Sequence, residues 1–243
     1  MKIFVISLKS SIKRREEVAK TFDENGLRYK FFDAINIADD QNILHLYNAD
    51  ETISKKGYLL TKQEIGCFAS HRALWEKCVQ LNEPILIFED NVEIHSSFLE
   101  CFNYAIRNIK ELKVLKFGSI FENELQKVDQ ITDDTMIVKY NKGASGTSCY
   151  MISPDAANRY LFLSCSFFQA VDDFMEYEWR TKLPLYTMHP NIVSRNSSSS
   201  TIGNRKIKEK SNIVSKLRIE GYRALRKIKQ CVFNLKFRYD IKK

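Results

Sequence analysis

Residues 60–75 read Leu-Thr-Lys-Gln-Glu-Ile-Gly-Cys-Phe-Ala-Ser-His-Arg-Ala-Leu-Trp. Thr61, followed three residues later by Glu64, forms a capping box, which predicts that a helix begins here. Residues that recur on this helix at spacings of three and four share one face, namely Glu64, Cys67, Ser70, His71 and Leu74. Because this face mixes an acid, a hydroxyl and an imidazole with apolar neighbours, it is a candidate for part of a functional site.

An apolar segment follows, Pro84-Ile85-Leu86-Ile87-Phe88, and it ends abruptly in Glu89-Asp90-Asn91. A continuous apolar run of this length is typical of a buried parallel strand. In an open α/β sheet, ligands bind at the carboxyl ends of the strands. The three polar residues are therefore predicted to lie at the ligand-binding edge of a sheet.

Strand and helix signals alternate along the rest of the chain. Strands are predicted at 2–8, 29–34, 85–88, 113–117, 136–140, 149–152 and 185–188. Helices are predicted from Ser10 or Ser11 to Asn25-Gly26, at about 43–47, from Thr61, at about 97–109, from Ser153-Pro154 and at 174–180. This alternation predicts an α/β fold with a mostly parallel sheet.

The chain has 243 residues, 44% of them hydrophobic, which is enough for one α/β domain with a sizeable core. Its charge is unevenly distributed. Residues 204–243 contain 14 Lys and Arg and 3 Asp and Glu, a net +11, which leaves 24 and 27 of the totals of 38 and 30, a net −3. The sequence therefore predicts a mildly acidic domain at 1–203 and a basic tail at 204–243.

Within this tail an apolar stripe recurs at threes and fours: Val214, Leu217, Gly221, Leu225, Ile228, Val232 and Leu235. The spacing predicts an amphipathic helix with Lys and Arg on its other surfaces. Such a helix is typical of binding to an anionic membrane surface. A helix packed on its own domain is the alternative. Nucleic-acid binding ranks last, because the tail has no recognised nucleic-acid motif.

Six cysteines are scattered without C-x-x-C spacing, which favours reduced core thiols over disulfides or zinc. The N-terminal apolar run, residues 3–8, is too short for a signal peptide, and no segment has the length of a transmembrane helix. We therefore expect a cytoplasmic protein.

Motifs in the same order along residues 1–203 resemble those of glycosyltransferase family 25, the lipopolysaccharide and lipooligosaccharide galactosyltransferase-like enzymes and their collagen-modifying relatives. They are Val5-Ile6-Ser7-Leu8 with Arg14-Arg15, Phe31-Phe32-Asp33-Ala34, residues 61–75, Phe88 to Val92, Gly146-Thr147, Tyr150, Ser153-Pro154 to Ala157, Val171-Asp172-Asp173-Phe174 and His189-Pro190.

The resemblance implies a GT-A-like, nucleotide-sugar-binding fold and an inverting transfer of a hexose. It implies galactose from UDP-galactose as the donor and a lipid-linked lipooligosaccharide as the acceptor. A basic tail suits such an acceptor independently, because a lipid-linked saccharide lies at an anionic leaflet. The expected location is peripheral to the inner face of the cytoplasmic membrane.

The carboxylates Glu89 and Asp90 are predicted to bind the donor, with Asp90 and Asn91 holding a divalent cation, Mn²⁺ or Mg²⁺. Such an ion stabilises the charge that develops on the departing diphosphate. Solvation or helix capping is the alternative for two acids at a strand end. The family usually has a third acid at the position of Asn91. This departure motivates a second hypothesis, a catalytically impaired nucleotide-sugar-binding or regulatory protein.

Attack by an acceptor hydroxyl requires a general base, and Asp172 and Asp173 are the candidates. The family pattern favours Asp172, and capping of the following helix is the alternative for this residue. His71 is a candidate for donor binding or for holding a carboxylate, against a structural role on its helix. Arg14 and Arg15 follow the first strand and are candidates for diphosphate binding, with a solvated helix face as the alternative.

Overall fold

The computed structural model describes residues 1–196 and 213–241. Within residues 1–196, eight strands form one central sheet in the order β2-β1-β3-β8-β5-β9-β7-β6, and two short strands, β4 and β10, pair separately. The strands are β1 Lys2–Ser7, β2 Lys30–Asp33, β3 Ile85–Glu89, β4 Val92–Ile94, β5 Val114–Lys116, β6 Leu125–Gln130, β7 Met136–Tyr140, β8 Cys149–Ile152, β9 Tyr186–His189 and β10 Val193–Arg195.

The helices surround this sheet on both faces. They are α1 Ile12–Glu24, α2 Ala49–Lys56, α3 Lys62–Leu81, α4 Phe98–Leu112, α5 Pro154–Leu163, α6 Val171–Met175, α7 Glu178–Thr181 and α8 Ile213–Ile241, with a 3₁₀ turn at Asn42–Leu46. The predicted α/β class and the C-terminal helix are confirmed.

Most strands of the sheet point the same way. The pairings give one direction to β2, β1, β3, β5, β9 and β6, and the reverse direction to β8 and β7. The sheet is therefore mixed at β8, which lies between β3 and β5 and is antiparallel to both. Strands β1 and β3 pair in parallel, so their carboxyl ends lie side by side at one edge of the sheet.

Alternation along the central strands builds two cores. In β3, Ile85 and Ile87 belong to one buried cluster, with α3, α5 and α6, while Leu86 and Phe88 belong to the other, with α1 and α4. Successive side chains of a strand point to opposite faces, so a continuous apolar run is required when both faces are covered. The prediction of a buried strand here is confirmed.

Helix α3 begins where the sequence predicts. The Thr61 hydroxyl accepts from the Glu64 N–H, and the Glu64 carboxylate accepts from the Thr61 N–H. Further along the helix, a Cβ at Gly66 would lie 2.5 Å from the Ile35 carbonyl oxygen. The glycine thus permits the close approach of the segment after β2, and this approach brings residues 34–37 to the carboxyl end of β1.

Helix α8 packs on the domain through a face other than the predicted stripe. Ile219 and Phe237 are buried, and Tyr222 and Phe168 form an edge-to-face pair. Lys139, fully buried on β7, donates to Glu178 at 2.9 Å and to Asn234 of α8 at 2.7 Å. The residues of the predicted stripe that have large apolar side chains are instead 46–68% exposed: Val214, Leu217, Leu225, Ile228, Val232 and Leu235.

One predicted helix is wrong, and three features of the structure were not predicted. The helix expected at 174–180 is two short helices, α6 and α7, which begin at Val171 and Glu178. Helix α2, strand β6 and the β4–β10 pair were not predicted. The predicted boundary between domain and tail, at residue 203, lies outside the described residues and stays a prediction.

Candidate active site

A cavity of about 370 Å³ opens at the carboxyl ends of β1 and β3. Its walls come from the first turn of α1, the segment after β2, the face of α3 that carries Cys67 and Ser70, and the end of β10. Side chains with chemical capacity converge on it: Ser7, Arg14, Glu89, Asp90, Asn91 and Arg195. The cavity therefore lies where ligands bind in open α/β sheets, as expected.

Glu89 is held by three side chains from distant parts of the chain. It accepts from Thr147 Oγ1 at 2.6 Å and Arg195 Nη2 at 3.3 Å, and His71 Nε2 lies 3.8 Å away. Burial opposes ionisation of Glu89, but His71 and Arg195 outweigh it and lower the pKa of this carboxyl to about 2. Glu89 is thus a fixed negative charge at the wall of the cavity.

Asp90 is held by residues of the first strand and helix. Ser7 Oγ donates to its Oδ2 at 2.7 Å, and Arg14 Nη1 donates to its Oδ1 at 3.2 Å. The neighbouring Asn91 is only 8% exposed, and its Oδ1 accepts no hydrogen bond from any described residue. The cavity is therefore lined by two carboxylates that are already paired, Glu89 and Asp90, and by Asn91, whose buried amide oxygen has no hydrogen bond.

His71 lies beneath the cavity rather than in it, because its side chain is fully buried. Trp75 Nε1 donates to the Tyr150 hydroxyl at 2.9 Å, and that hydroxyl lies 2.9 Å from His71 Nδ1. Since Tyr150 accepts from Trp75, its single proton can go to Nδ1, which leaves the imidazole proton on Nε2, facing Glu89. The predicted alternative of holding a carboxylate fits this geometry; direct contact with a phosphate does not.

The two arginines predicted to bind diphosphate point in different directions. Arg14 lines the cavity beside Asp90. Arg15 turns toward β2, where its Nη2 donates to Asp33 Oδ1 at 2.5 Å and to the Ser7 carbonyl at 2.8 Å, and its guanidinium lies over the Phe31 ring. Arg15 thus joins the ends of β1 and β2 and does not line the cavity.

Asp172 lies in the first turn of α6 and is half-buried. The negative charge of Asp172 contributes an upward shift to the pKa of Cys67 on α3 and to the pKa of Lys116 on β5. The N-cap of α6 is Ala170, with no capping side chain. Asp172 Oδ1 nevertheless accepts from the Asp173 N–H at 2.9 Å, so the carboxylate interacts with the first turn of this helix, and the helix-capping alternative stays open beside the catalytic one. Asp173 pairs with Lys56 at 2.5 Å and with Arg226 at 3.5 Å.

Three further residues contribute to the site and were not predicted. Arg195 pairs with Glu89. Lys116 is 2% exposed and donates to the Ser145 carbonyl at 2.6 Å. Burial raises the pKa of Glu176 to about 7, and the nearby Asp172 contributes to this rise against the opposing charge of Lys116. The only sequence signal among these three residues was the position of Glu176, which lies on the helix predicted at 174–180 and four residues after Asp172.

One group among the described residues has the geometry of a metal-ligand cluster: the ligand atoms of Cys67, His71 and Glu89 lie within 4.8 Å of one another. Burial raises the pKa of the Cys67 thiol well above its ordinary value, so the thiol is neutral. Metals bind the thiolate. In the structure as described, this cluster contributes the Glu89–Arg195 pair and the neutral thiol to the wall of the cavity.

Comparison with known proteins identifies the family. The model of glycosyltransferase family 25 (LPS biosynthesis protein) matches residues 1–175. The chain belongs to this family. The predicted family and the predicted enzyme class, glycosyltransferase, are confirmed.

Two relatives are named for the biosynthesis of cell-surface saccharides. The lipooligosaccharide biosynthesis protein lic2B of Haemophilus influenzae is 31% identical over 175 residues, 67% of this chain and 63% of that protein. The lacto-N-neotetraose biosynthesis glycosyltransferase LgtE of Neisseria meningitidis serogroup B is 25% identical over 209 residues, 80% of this chain and 74% of that protein. This chain thus spans less than two thirds of the length of the first relative and about three quarters of the second.

Among solved structures, a glycosyltransferase involved in glycosylation of the major capsid of PBCV-1 aligns with 92% of this chain and 100% of its own, with 12% identity and a TM-score of 0.42. None of the described helices is long and apolar enough to cross a membrane.

Proposed function

We propose that this chain transfers a hexose, galactose from UDP-galactose, with inversion onto a lipooligosaccharide acceptor. Family membership supports a glycosyl transfer, and the two relatives named above support a lipooligosaccharide context. The observation that carries the proposal is the pairing of Arg14 with Asp90 and of Arg195 with Glu89 on one cavity wall.

The charges of this wall suit a nucleoside diphosphate sugar. Guanidinium groups bind phosphate oxygens in a bidentate manner, and both arginines are already oriented by a carboxylate. Transfer leaves negative charge on the departing diphosphate, which preorganised cations stabilise most strongly in the transition state. Arg14 and Arg195 are therefore the proposed diphosphate ligands, with His71 positioning Glu89 from below.

A divalent cation is part of this proposal, with Asp90 and Asn91 as its ligands. The residues fit such an ion, because the Asn91 Oδ1 atom is buried without a hydrogen bond and Asn91 lines the same cavity as the Asp90 carboxylate. Oxygen ligands are those that Mg²⁺ and Mn²⁺ prefer. When bound, the ion would neutralise charge on the diphosphate. An amide brings no charge to the ion, so we expect weaker metal binding than with three acids.

Asp172 is the proposed base. In an inverting displacement, the acceptor hydroxyl oxygen forms a bond to the anomeric carbon while the bond from that carbon to the diphosphate breaks on the opposite face. The hydroxyl proton passes to the Asp172 carboxylate, and UDP departs. Asp172 suits this role because it lies outside the two carboxylate–arginine pairs of the donor cavity, the proposed donor site at the carboxyl ends of β1 and β3.

The test is to measure UDP release from a panel of UDP-sugars, with Mn²⁺ and with a chelator. We expect release with UDP-galactose that increases when an oligosaccharide acceptor is added. Binding of UDP-galactose without any release would contradict transfer and would support the alternative, a catalytically impaired nucleotide-sugar-binding protein. If a chelator leaves UDP release unchanged, only the proposed role of the cation is contradicted, and the proposed transfer stands.

A cytoplasmic position at the inner face of the membrane belongs to the same proposal, with α8 as the contact. Six large apolar side chains of its stripe remain exposed while a different face packs on the domain. Cations such as Arg218 and Lys229 flank the stripe. Burial of exposed apolar side chains and attraction of cations to anionic lipid act together at a bilayer surface.

Flotation with anionic vesicles tests this contact. The full chain should float, and Leu225→Gln/Ile228→Gln should reduce the bound fraction. The matched control is Leu99→Gln/Ile106→Gln, which changes two exposed apolar residues on α4. Equal flotation of the two double variants would contradict a role for the stripe. High salt should weaken binding of the full chain, because exposed charges are screened beyond about 10 Å at 0.1 M.

A further inference from the structure

A second, larger cavity lies between α8 and the loop that follows β7. It has a volume of about 820 Å³, within the range of small-molecule sites. One wall is the face of α8 that carries Arg223, Lys227 and Leu235. The opposite wall is the loop residue Lys142, and Glu176 lies at the floor. This groove is distinct from the donor cavity, and the lining residues of the two do not overlap.

We propose that this groove binds the acceptor and that it selects a saccharide bearing a phosphate or carboxylate group. This inference rests on the proposed glycosyl transfer and adds to it the place and the charge of the second substrate. It also assigns to the C-terminal helix, which lies outside residues 1–175 matched by the family model, a role in substrate recognition.

The charges of the groove carry the argument for an anionic ligand. Lys142 and Lys227 have no ionic partner among the described residues, and Arg223 pairs with Glu220 of its own helix. Of the acids on the lining, Asp173 pairs with Lys56 and with Arg226 of α8, Glu176 accepts from the Ser145 N–H, and Glu124 accepts from the Asn141 amide. The four cations of the lining outnumber these three acids: Lys142, Arg223, Arg226 and Lys227. Cations with weak or no partners on two facing walls form a site for a phosphate or carboxylate group.

The floor of the groove connects it to the proposed reaction centre. The chain after β7 lies directly on Glu176, because a Cβ at Gly143 would be 2.0 Å from Glu176 Oε2. The Ser145 N–H donates to Glu176 Oε1. The neighbouring Ser145 carbonyl accepts from Lys116, which feels the charges of Glu176, Asp172 and Glu89. A saccharide in the groove would therefore lie beside Glu176, a group on which the charge of the proposed base acts.

The mouth of the groove borders the exposed stripe of α8. Leu235 belongs to both surfaces, since it lines the cavity and is 59% exposed on the stripe. If the stripe contacts a bilayer, the groove opens beside the lipid surface. The saccharide head of a lipid-linked acceptor can then enter the groove while its lipid stays in the membrane, which is the geometry that such an acceptor requires.

The experiment compares two double variants of the full chain that each remove two cations from α8. Arg223→Gln/Lys227→Gln changes the groove. Arg218→Gln/Lys236→Gln is the control, because these residues lie five and nine positions from Arg223 and Lys227 and so on another side of the helix. Both control residues are exposed. Binding of glucose 6-phosphate and of methyl glucoside is measured by calorimetry at two salt concentrations.

We expect glucose 6-phosphate to bind the wild-type chain more tightly than the neutral sugar, and the groove variant to weaken this binding about tenfold. The control variant should bind as the wild type does. The proposal is overturned if the wild-type chain does not prefer the phosphorylated sugar, or if the two double variants bind it equally. Because binding is measured without turnover, failure of the proposed transfer would appear separately, as absence of UDP release.

Discussion

The donor cavity and the α8 groove differ in how their charges are paired. In the donor cavity, Asp90 and Glu89 each hold an arginine, so opposite charges are already in contact. In the groove, Lys142 and Lys227 line the same cavity without an ionic partner among the described residues. Preorganised pairs suit a ligand whose charge changes during reaction, whereas unpaired cations suit recognition of a constant charge.

The two regions also differ in the origin of their residues. The donor cavity is built from strand ends and helix starts that occur as short motifs. The groove is built by packing a distant helix on the domain, through contacts such as Asn234 with Lys139 and Arg226 with Asp173. Substitutions in the donor cavity should therefore affect turnover first, and substitutions at the α8 contact should affect stability first.

The largest effect is expected for Asp90→Ala. The substitution removes the partner that orients Arg14 and Ser7, together with a proposed cation ligand, so turnover should be abolished. UDP release and thermal unfolding should be measured together, with Asp155→Ala, an exposed acid on α5, as the control. Retention of turnover within about tenfold of wild type, roughly 1.4 kcal/mol of barrier, would exclude a central role for Asp90.

Asp172→Asn is the next test, because the charge of this residue acts on Cys67 of the donor cavity and on Glu176 of the groove. The amide keeps the shape but cannot take a proton, so kcat should fall by about 10³-fold, roughly 4 kcal/mol. Donor affinity, measured by UDP-galactose titration, should change little. A larger loss of kcat in Asp173→Asn would instead identify Asp173 as the base.

Local sequence signals made the elements around the donor cavity predictable. The capping box of Thr61 and Glu64 and the apolar run of β3 each act within a few residues, and both features are in the structure. The bounds predicted for β7 and β8 agree with the structure as well. The roles of Arg14 and Glu89 depended on the family resemblance, but their place at a strand edge followed from the pattern alone.

Long-range packing was not predictable in the same way. Arg195 reaches Glu89 because β10 pairs with β4, and three-residue strands are too short to have a periodic signal. The α8 stripe is the most instructive case. Periodicity identifies the more regular apolar face, but a helix docks through the face whose shape and polar groups fit the domain, here with Ile219, Asn234 and Phe237.

The acid at the floor of the groove gives a pH test. Glu176 has a folded-state pKa of about 7, above the ordinary value of 4.5. Its contribution to stability is therefore full below pH 4.5 and is lost as pH rises through 7, by on the order of 3 kcal/mol. Glu176→Gln should remove this loss, so the variant should gain stability relative to wild type between pH 5 and pH 8 in urea unfolding. If the unfolding free energies of the two proteins change with pH in parallel, the raised pKa of Glu176 is contradicted.

The two faces of α8 can be separated with one pair of variants. Ile219→Ala truncates a side chain that contacts Gly57 and is 9% exposed, so unfolding free energy should fall by about 2 kcal/mol. Leu217→Ala, on the exposed stripe, should change it by less than about 0.5 kcal/mol. Urea unfolding of both variants measures the difference. Equal losses would mean that both faces are buried in solution.

The smallest effect is expected at Asn91. Asn91→Asp places a third carboxylate beside Glu89 and Asp90, where the chain now offers a buried amide oxygen without a hydrogen bond. Without metal, the added charge is repelled by its neighbours, so the variant should unfold at a lower temperature than wild type. With Mn²⁺, the same charge becomes a ligand, and the Mn²⁺ concentration for half-maximal UDP release should fall about fivefold, roughly 1 kcal/mol.

Thermal unfolding gives a second readout that does not depend on turnover, since Mn²⁺ should raise the unfolding temperature more in Asn91→Asp than in wild type. The control is Asn103→Asp, an exposed position on α4. If Asn91→Asp shifts neither the Mn²⁺ requirement nor the metal-dependent unfolding temperature, Asn91 does not bind the ion. The arginine pairs would then be the main neutralising charges of the diphosphate, and the contrast between the two regions would become sharper.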